Sequence, residues 1–384
     1  MFRRILLIFF LPMLIADIYI FGMFIRKLTK NIFLRILWFV PTILLLGGVY
    51  TYFYSGLHLE HRDTFMIIYI AIALAKILFT IVSWFDLPFR YFFRKWKVYP
   101  FTVVGIFLAV GVIYIAVYGH VWGSTKFEVK EVTFSSENLP DAFDGYRIVQ
   151  ISDLHMASWE GNTKPIEELV KIINGQKADA VMVTGDLVHN RAIELNGFEN
   201  ILSQIKAPDG VYSVLGNHDY GLYYPWKNKE EQKQNIADLK QRQANLGWKL
   251  LNNEHSFLHR GNDSIALIGV ENAGTGHFPD FSDLSKGMKG TENPSFKLLL
   301  SHDPSHWRRE VLSKDIDLML AGHTHGAQVA IGSFSPVKFI YPEWAGLYTE
   351  GKKGLYVNVG IGSVAVPFRF GAFPEITVIT LKKK

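Results

Sequence analysis

Four long apolar stretches open the chain, and shorter apolar runs alternating with polar, helix-length segments fill the rest. Ile5–Phe24 spans 20 residues with one charge, Asp17, and Ile36–Phe53 spans 18 with none. Phe65–Trp84 spans 20 with one, Lys76, and Phe101–Tyr118 spans 18 with none. Each is long enough to cross a hydrocarbon layer of roughly 30 Å. Soluble core helices are seldom apolar all round for this length. The pattern predicts an all-α bundle of four transmembrane helices within residues 1–123. The first run is too long for a signal-peptide core and is followed by no small-residue cleavage site, so it reads as a retained span. Asp17 and Lys76, costly inside a membrane, read either as a polar pathway or, favoured here, as a structural pair or a snorkelling lysine.

From residue 124 the period changes. Tyr146–Ser152, Ala180–Thr184, Val211–Leu215, Ser264–Val270, Phe296–Leu300, Ile316–Leu320, Leu355–Val359 and Ile376–Leu381 read as strands. Pro165–Ile173 and Lys229–Asn245 read as helices. Strand–helix alternation predicts a largely parallel α/β sheet with later antiparallel additions. The linker is expected at about Gly119–Lys130, giving a transmembrane region over 1–123 and a second domain over 124–384.

Charge sharpens the first third. Residues 1–123 carry 12 Lys+Arg against 4 Asp+Glu, whereas the remainder carries 28 against 31. The basic residues flank the apolar runs, so they point to a bilayer and not to nucleic acid. The loops after the first and third spans hold 8 of them, and the opposite side holds 5, Arg3 and Arg4 included. That bias predicts a multi-pass inner-membrane protein whose C-terminal domain lies on the extracytoplasmic side. The loop cluster His58, Glu60, His61 and Asp63 suits a metal or a headgroup, or simply a solvated loop. The chain has no cysteine, which removes disulfides, thiolate metal sites and cysteine nucleophiles.

The candidate chemistry sits just past the strands. The first strand is followed by Asp153-Leu-His155 and the next by Gly185-Asp186. Then come Gly216-Asn217-His218-Asp219, Ser301-His302 and Gly322-His323-Thr-His325. Ligands of open α/β sheets bind at such strand exits. Asp153, Asp186 and Asn217 supply oxygen, and His155, His302, His323 and His325 supply nitrogen. Seven donors overfill one cation and fit two with a shared carboxylate. Mixed N and O donors without sulfur suit Mn, Fe, Zn, Co or Ni better than Ca or Mg. Paired cations of this kind drive phosphoryl transfer by activating water. His218 is left to donate a proton to the leaving oxygen or to stabilise charge on the equatorial oxygens, with Asp219 expected to orient it and keep it protonated.

The series D-x-H, G-D, G-N-H-D, H, G-H-x-H resembles the calcineurin-like metallophosphoesterase superfamily over about Tyr146–Leu381. Its spacings of 33, 31 and 21 residues are similar to that family's. The variants Ser301-His302-Asp303-Pro304 and Gly322–Gln328, with the tail Val359–Thr377, resemble its membrane-associated branch, which includes the YkuE-like enzymes and the transmembrane proteins with a metallophosphoesterase domain. The resemblance implies an α/β class, four-layer α/β/β/α sandwich. It implies that Asp153, His155, Asp186 and His325 hold one divalent ion, and that Asp186, Asn217, His302 and His323 hold the other. Mn, Fe or Zn are the expected ions. Ala327 and the pair His189-Asn190 depart slightly from the branch, and His189 either lines the pocket or belongs to a surface loop.

The substrate expectation is a phosphoester, lipid-linked or from the cell envelope. Alternatives are UDP-2,3-diacylglucosamine hydrolysis in lipid A biosynthesis, and a non-catalytic sensor of a phosphorylated ligand. Arg369 either grips a second phosphate or is structural. Phe334, Phe339, Ile340, Tyr341, Trp344 and Leu347 form either a hydrophobic lip or a hairpin packed on the core.

Overall fold

The computed structural model describes residues 2–54, 62–93 and 99–384. Contacts divide the chain into two units, Met1–Trp122 with Ala365–Phe368, and Gly123–Val364 with Arg369–Lys384. His58, Glu60 and His61 of the candidate loop cluster lie outside the described residues, as do Arg94, Lys95 and Lys97 of the charge count.

In the first unit the long helices are α1 (Phe2–Ile20), α2 (Val40–Tyr54), α3 (Arg62–Trp84) and α4 (Pro100–Val121). Among the described residues, four helical stretches are long and apolar enough to cross a membrane: Ile8–Leu28, Ile32–Thr51, Asp63–Phe89 and Pro100–Thr125. Of the readings open to the two internal charges, the structure shows the pair. Lys76 Nζ on α3 lies 2.6 Å from Asp17 Oδ1 on α1. Thr42 of α2 completes a triangle, donating to Asp17 Oδ2 at 2.5 Å and accepting from Lys76 at 2.7 Å. Asp17 and Thr42 are fully buried. One polar knot therefore ties three apolar helices that hydrophobic burial alone would not hold together in lipid. Lys76→Met is expected to lower the unit's stability by about 3 kcal/mol, because it strands a buried carboxylate. The double variant Asp17→Leu/Lys76→Met should recover most of that loss in detergent unfolding.

The second unit is built from twelve strands in two six-stranded sheets. The first sheet contains β1 (Glu128–Ser136), β2 (Arg147–Ile151), β3 (Ala180–Thr184), β4 (Val211–Val214), β5 (Trp248–Leu250) and β12 (Glu375–Lys383), in the order β1-β12-β2-β3-β4-β5. The second contains β6 (Glu254–Arg260), β7 (Asp263–Gly269), β8 (Lys297–Leu300), β9 (Leu318–Ala321), β10 (Gly346–Glu350) and β11 (Lys353–Val357), in the order β10-β11-β9-β8-β7-β6. The inner strands β2-β3-β4 and β7-β8-β9 run parallel within their sheets.

Alternation along each strand makes the layers. Ile148, Met182 and Val214 of the first sheet pack with Leu267, Leu298 and Leu320 of the second in one cluster between the sheets. Their neighbours Val149, Val181 and Val183 face outward onto Ile166, Leu169 and Ile173 of α5 (Lys164–Gly175) and Leu239 of α6 (Lys229–Asn245). On the far side Ile268, Leu299 and Met319 meet Leu284, Trp307 and Val311. The result is an α/β/β/α sandwich. The linker is shorter than expected: α4 runs to Val121, and β1 already pairs with β12 at Glu128↔Glu375.

Candidate metal centre

All five motif loops leave the carboxyl ends of inner strands β2, β3, β4, β8 and β9. Parallel pairing within each sheet puts such ends side by side. Asp153, His155, Asp186, His323 and His325 then take left-handed backbone angles, with φ of 52°, 44°, 54°, 72° and 51°. Non-glycine residues adopt that region at a cost of about 1–3 kcal/mol, a strain that clusters where side chains must converge. Two glycines leave room for the convergence. A Cβ on Gly216 would lie 2.2 Å from Asp186 Oδ1, and one on Gly322 would lie 2.4 Å from Asp153 Oδ2.

Two pairs of imidazole nitrogens face each other. His155 Nε2 and His325 Nε2 are 3.1 Å apart, and His302 Nε2 and His323 Nδ1 are 3.2 Å apart. Asp186 Oδ2 lies between the pairs, 3.6 Å from His155 Nε2 and 3.2 Å from His302 Nε2. Asp153 Oδ1 approaches His325 Nε2 at 3.1 Å. The groups Asp153–His155–His325, His155–Asp186–His218 and Asp186–His302–His323 each bring their ligand atoms within 4.8 Å of one another. Asp153 Oδ1 and Asn217 Oδ1 are buried and accept no hydrogen bond. Buried oxygens without donors, set among imidazole nitrogens, fit divalent cations.

The electrostatics agree with that chemistry. Burial pushes the Asp186 carboxyl up, but His302 and His218 outweigh it and hold it below the usual range. Asp153 is likewise held low against burial, by His325 and His302. Both are carboxylates at neutral pH. Burial lowers His323 to about 4 and His155 further below its ordinary value, so both offer lone pairs. His302 is the exception: burial pushes it down, and Asp186 and Asp153 carry it up to about 10.

Contacts behind the imidazoles orient them. Thr184 O takes His302 Nδ1 at 2.7 Å, which leaves Nε2 pointing at Asp186. His323 Nε2 bonds Tyr341 Oη at 2.9 Å, and the fully buried Asp303 carboxylate lies 3.8 Å from the same nitrogen. The sequence does not mark Asp303 or Tyr341 for this role, although the Asp303-Pro304 step lies beside His302. His218 Nδ1 donates to His189 O at 2.8 Å, and its ring packs 4.7 Å from that of Tyr223, whose hydroxyl accepts from Asn217 Nδ2.

Two expected roles are corrected. Asp219 does not orient His218. Its carboxylate is fully buried and accepts the backbone N–H groups of Asp186, Val188 and Gly216 at 2.9, 3.1 and 2.9 Å. Burial and Asp186 push it up to about 7. It is the clasp that fixes the β3 and β4 loops against each other. Arg369 does not present itself to a phosphate. It is fully buried, and its guanidinium donates to Val359 O, Gly362 O and Ala372 O. It also lies 3.1 Å from His325 Nδ1, so it packs behind the centre. His189 does line the centre, its ring 4.6 Å from that of His155, with Nε2 bound to Ser363 O.

Residues 146–327 match the calcineurin-like phosphoesterase family, and residues 3–124 match a family described as a probable calcineurin-like phosphoesterase transmembrane domain. The metallophosphoesterase YkuE of Bacillus subtilis is 30% identical over 268 residues, 66% of this chain and 85% of that protein. The transmembrane protein with metallophosphoesterase domain of Danio rerio is 30% identical over 282 residues, 70% of this chain and 60% of that one. The metallophosphoesterase Cj0846 of Campylobacter jejuni is 27% identical over 385 residues, covering 96% of each. With the motif loops, the sandwich and the membrane spans in place, the chain belongs to the calcineurin-like metallophosphoesterases, as a membrane-associated, metal-dependent phosphoester hydrolase.

Proposed function

We propose that residues 124–384 form a dinuclear phosphoesterase anchored by residues 1–123, and that it acts on a lipid-linked or cell-envelope phosphoester. The reading rests on one observation: a single carboxylate oxygen, Asp186 Oδ2, stands between two facing imidazole pairs. Asp153, His155, Asp186 and His325 would hold one ion, and Asp186, Asn217, His302 and His323 the other, with Mn, Fe or Zn suiting the donors. Such ions polarise a phosphoryl oxygen and lower the pKa of water toward neutrality.

The remaining work falls to the chain. His218 Nδ1 is committed to His189 O, so Nε2 is the nitrogen that delivers a proton to the leaving oxygen. Tyr223 packs against His218 and fixes its plane. The charge bias of the loops favours an inner-membrane protein with its catalytic unit on the extracytoplasmic side.

The test is hydrolysis of a generic phosphodiester by the full-length protein in detergent. Chelation should abolish turnover, and Mn, Fe or Zn should restore it. Turnover unchanged by exhaustive chelation would defeat the dinuclear reading. A reporter fused after Lys384 checks the topology, and a signal from cytoplasm-active reporters alone would reverse it.

Tyr341→Phe and Asp303→Asn are expected to weaken metal retention by about 10- to 100-fold, because partners that orient a ligating imidazole carry effects of that size. Metal titration with a competing chelator reads this without reference to activity. Parental affinity in both variants would leave the two residues no role in setting His323.

A further inference from the structure

The loop that follows His325 turns four large apolar side chains outward. Ile331 is 67% exposed, Phe334 49%, Phe339 83% and Ile340 75%. They form one patch. Ile331 and Phe334 exchange backbone hydrogen bonds of 2.9 and 3.2 Å, and the rings of Phe334 and Phe339 meet edge-on at 6.1 Å. The base of the loop is fixed. Ser335 Oγ donates to Gly326 O at 2.7 Å and accepts from Val337 N, and Tyr341 turns inward onto His323. The patch is therefore displayed by a pinned scaffold and is no frayed tip. Lys338 is exposed in its midst.

We infer that Ile331, Phe334, Phe339 and Ile340 form a membrane-contact surface that dips into the headgroup–acyl boundary of a bilayer, with Lys338 on the lipid phosphates. Phenylalanine and isoleucine flanking a lysine suit that boundary: the rings enter the acyl edge and the ammonium remains at the anionic layer. A soluble surface gains nothing from keeping such a patch open to water. The bilayer is the occupant because the same chain carries four apolar spans, so this loop meets lipid at high effective concentration. The patch is continuous in sequence with Tyr341, which touches His323. Lipid contact would hold the proposed centre near the headgroup layer, and only this last step rests on the function proposed above.

The absence of cysteine allows a clean test on the full-length chain. Phe339→Cys and Ile340→Cys, each labelled with the fluorophore NBD, are placed in nanodiscs containing phosphatidylglycerol and brominated phosphatidylcholine. Lys171→Cys, on the exposed side of α5, is the control. The expected result is a blue-shifted emission losing about half its intensity to brominated lipid at both loop positions, with none lost at the control. Adding Lys338→Glu should reduce the quenching. Emission at the loop positions as unquenched as the control would overturn the inference. A blue shift without lipid quenching would also overturn it, since it would place the loop against protein, such as a second copy. Hydrolysis of a soluble phosphodiester by Phe339→Ser/Ile340→Ser, run in parallel, should match the parent. A parent that hydrolyses nothing would count against the proposed function while leaving the quenching result readable.

Discussion

Asp186→Asn is expected to reduce phosphodiester turnover by about a thousandfold or more, equivalent to roughly 4 kcal/mol of transition-state stabilisation. The amide keeps the volume of the carboxylate, and its oxygen can still accept the His218 backbone N–H that Oδ1 receives at 2.8 Å. The loop should therefore fold as before. What disappears is the charge on the one oxygen placed between both imidazole pairs. That carboxyl is held ionised at neutral pH by His302 and His218 despite its burial, so the substitution removes a full negative charge from the centre. Metal per chain, measured by mass spectrometry, should fall together with turnover. A variant that keeps both its metal and most of its rate would show that Asp186 is not the shared ligand. Asp153→Asn, whose carboxylate approaches an imidazole of one pair only, should lose less metal.

His218→Gln is expected to lower kcat by about a hundred- to a thousandfold while leaving the metal content unchanged, which is the signature of a lost general acid. The loss should depend on the leaving group. A nitrophenolate leaves without protonation, so its esters should be affected little, whereas alkyl esters should show the full effect. An equal loss on both ester types would remove the proton-donor role from His218 and leave it a charge-stabilising one. Asp219→Asn should behave differently, with lower stability and no leaving-group dependence, because that carboxylate ties backbone N–H groups of two loops and does not touch the His218 ring.

The sequence located the inner strands of both sheets and overlooked their edges. The ten elements expected in the second unit include all eight inner strands, β2, β3, β4, β7, β8, β9, β11 and β12. The four strands left out, β1, β5, β6 and β10, are the edges of the two sheets. Inner strands are buried on both faces and read as continuous apolar runs, such as Ala180–Thr184. An edge strand has a neighbour on one side only and can be largely solvated, so Glu128–Ser136 and Glu254–Arg260 read as polar loop.

The outcomes for Asp219 and Arg369 follow the same division. A motif fixes which residue types leave a strand end, but it does not fix which way each side chain turns. Asp219 follows His218 in sequence, yet folding turns its carboxylate to the backbone of the β3 loop. Arg369 has the right chemistry for a phosphate and is spent instead on carbonyls of its own loops.

The amino-acid sequence by itself determined the apolar spans, the two charges inside them, and the seven donors with their spacing. These follow from local composition and from the rule that open α/β sheets bind ligands at their strand exits. Tertiary structure alone decided that Asp186 Oδ2 stands between the imidazole pairs, that Tyr341 and Asp303 back His323, and that Ile331, Phe334, Phe339 and Ile340 face outward. Each of those facts depends on the direction of a side chain across contacts distant in sequence. Packing sets that direction, and a linear pattern does not carry it.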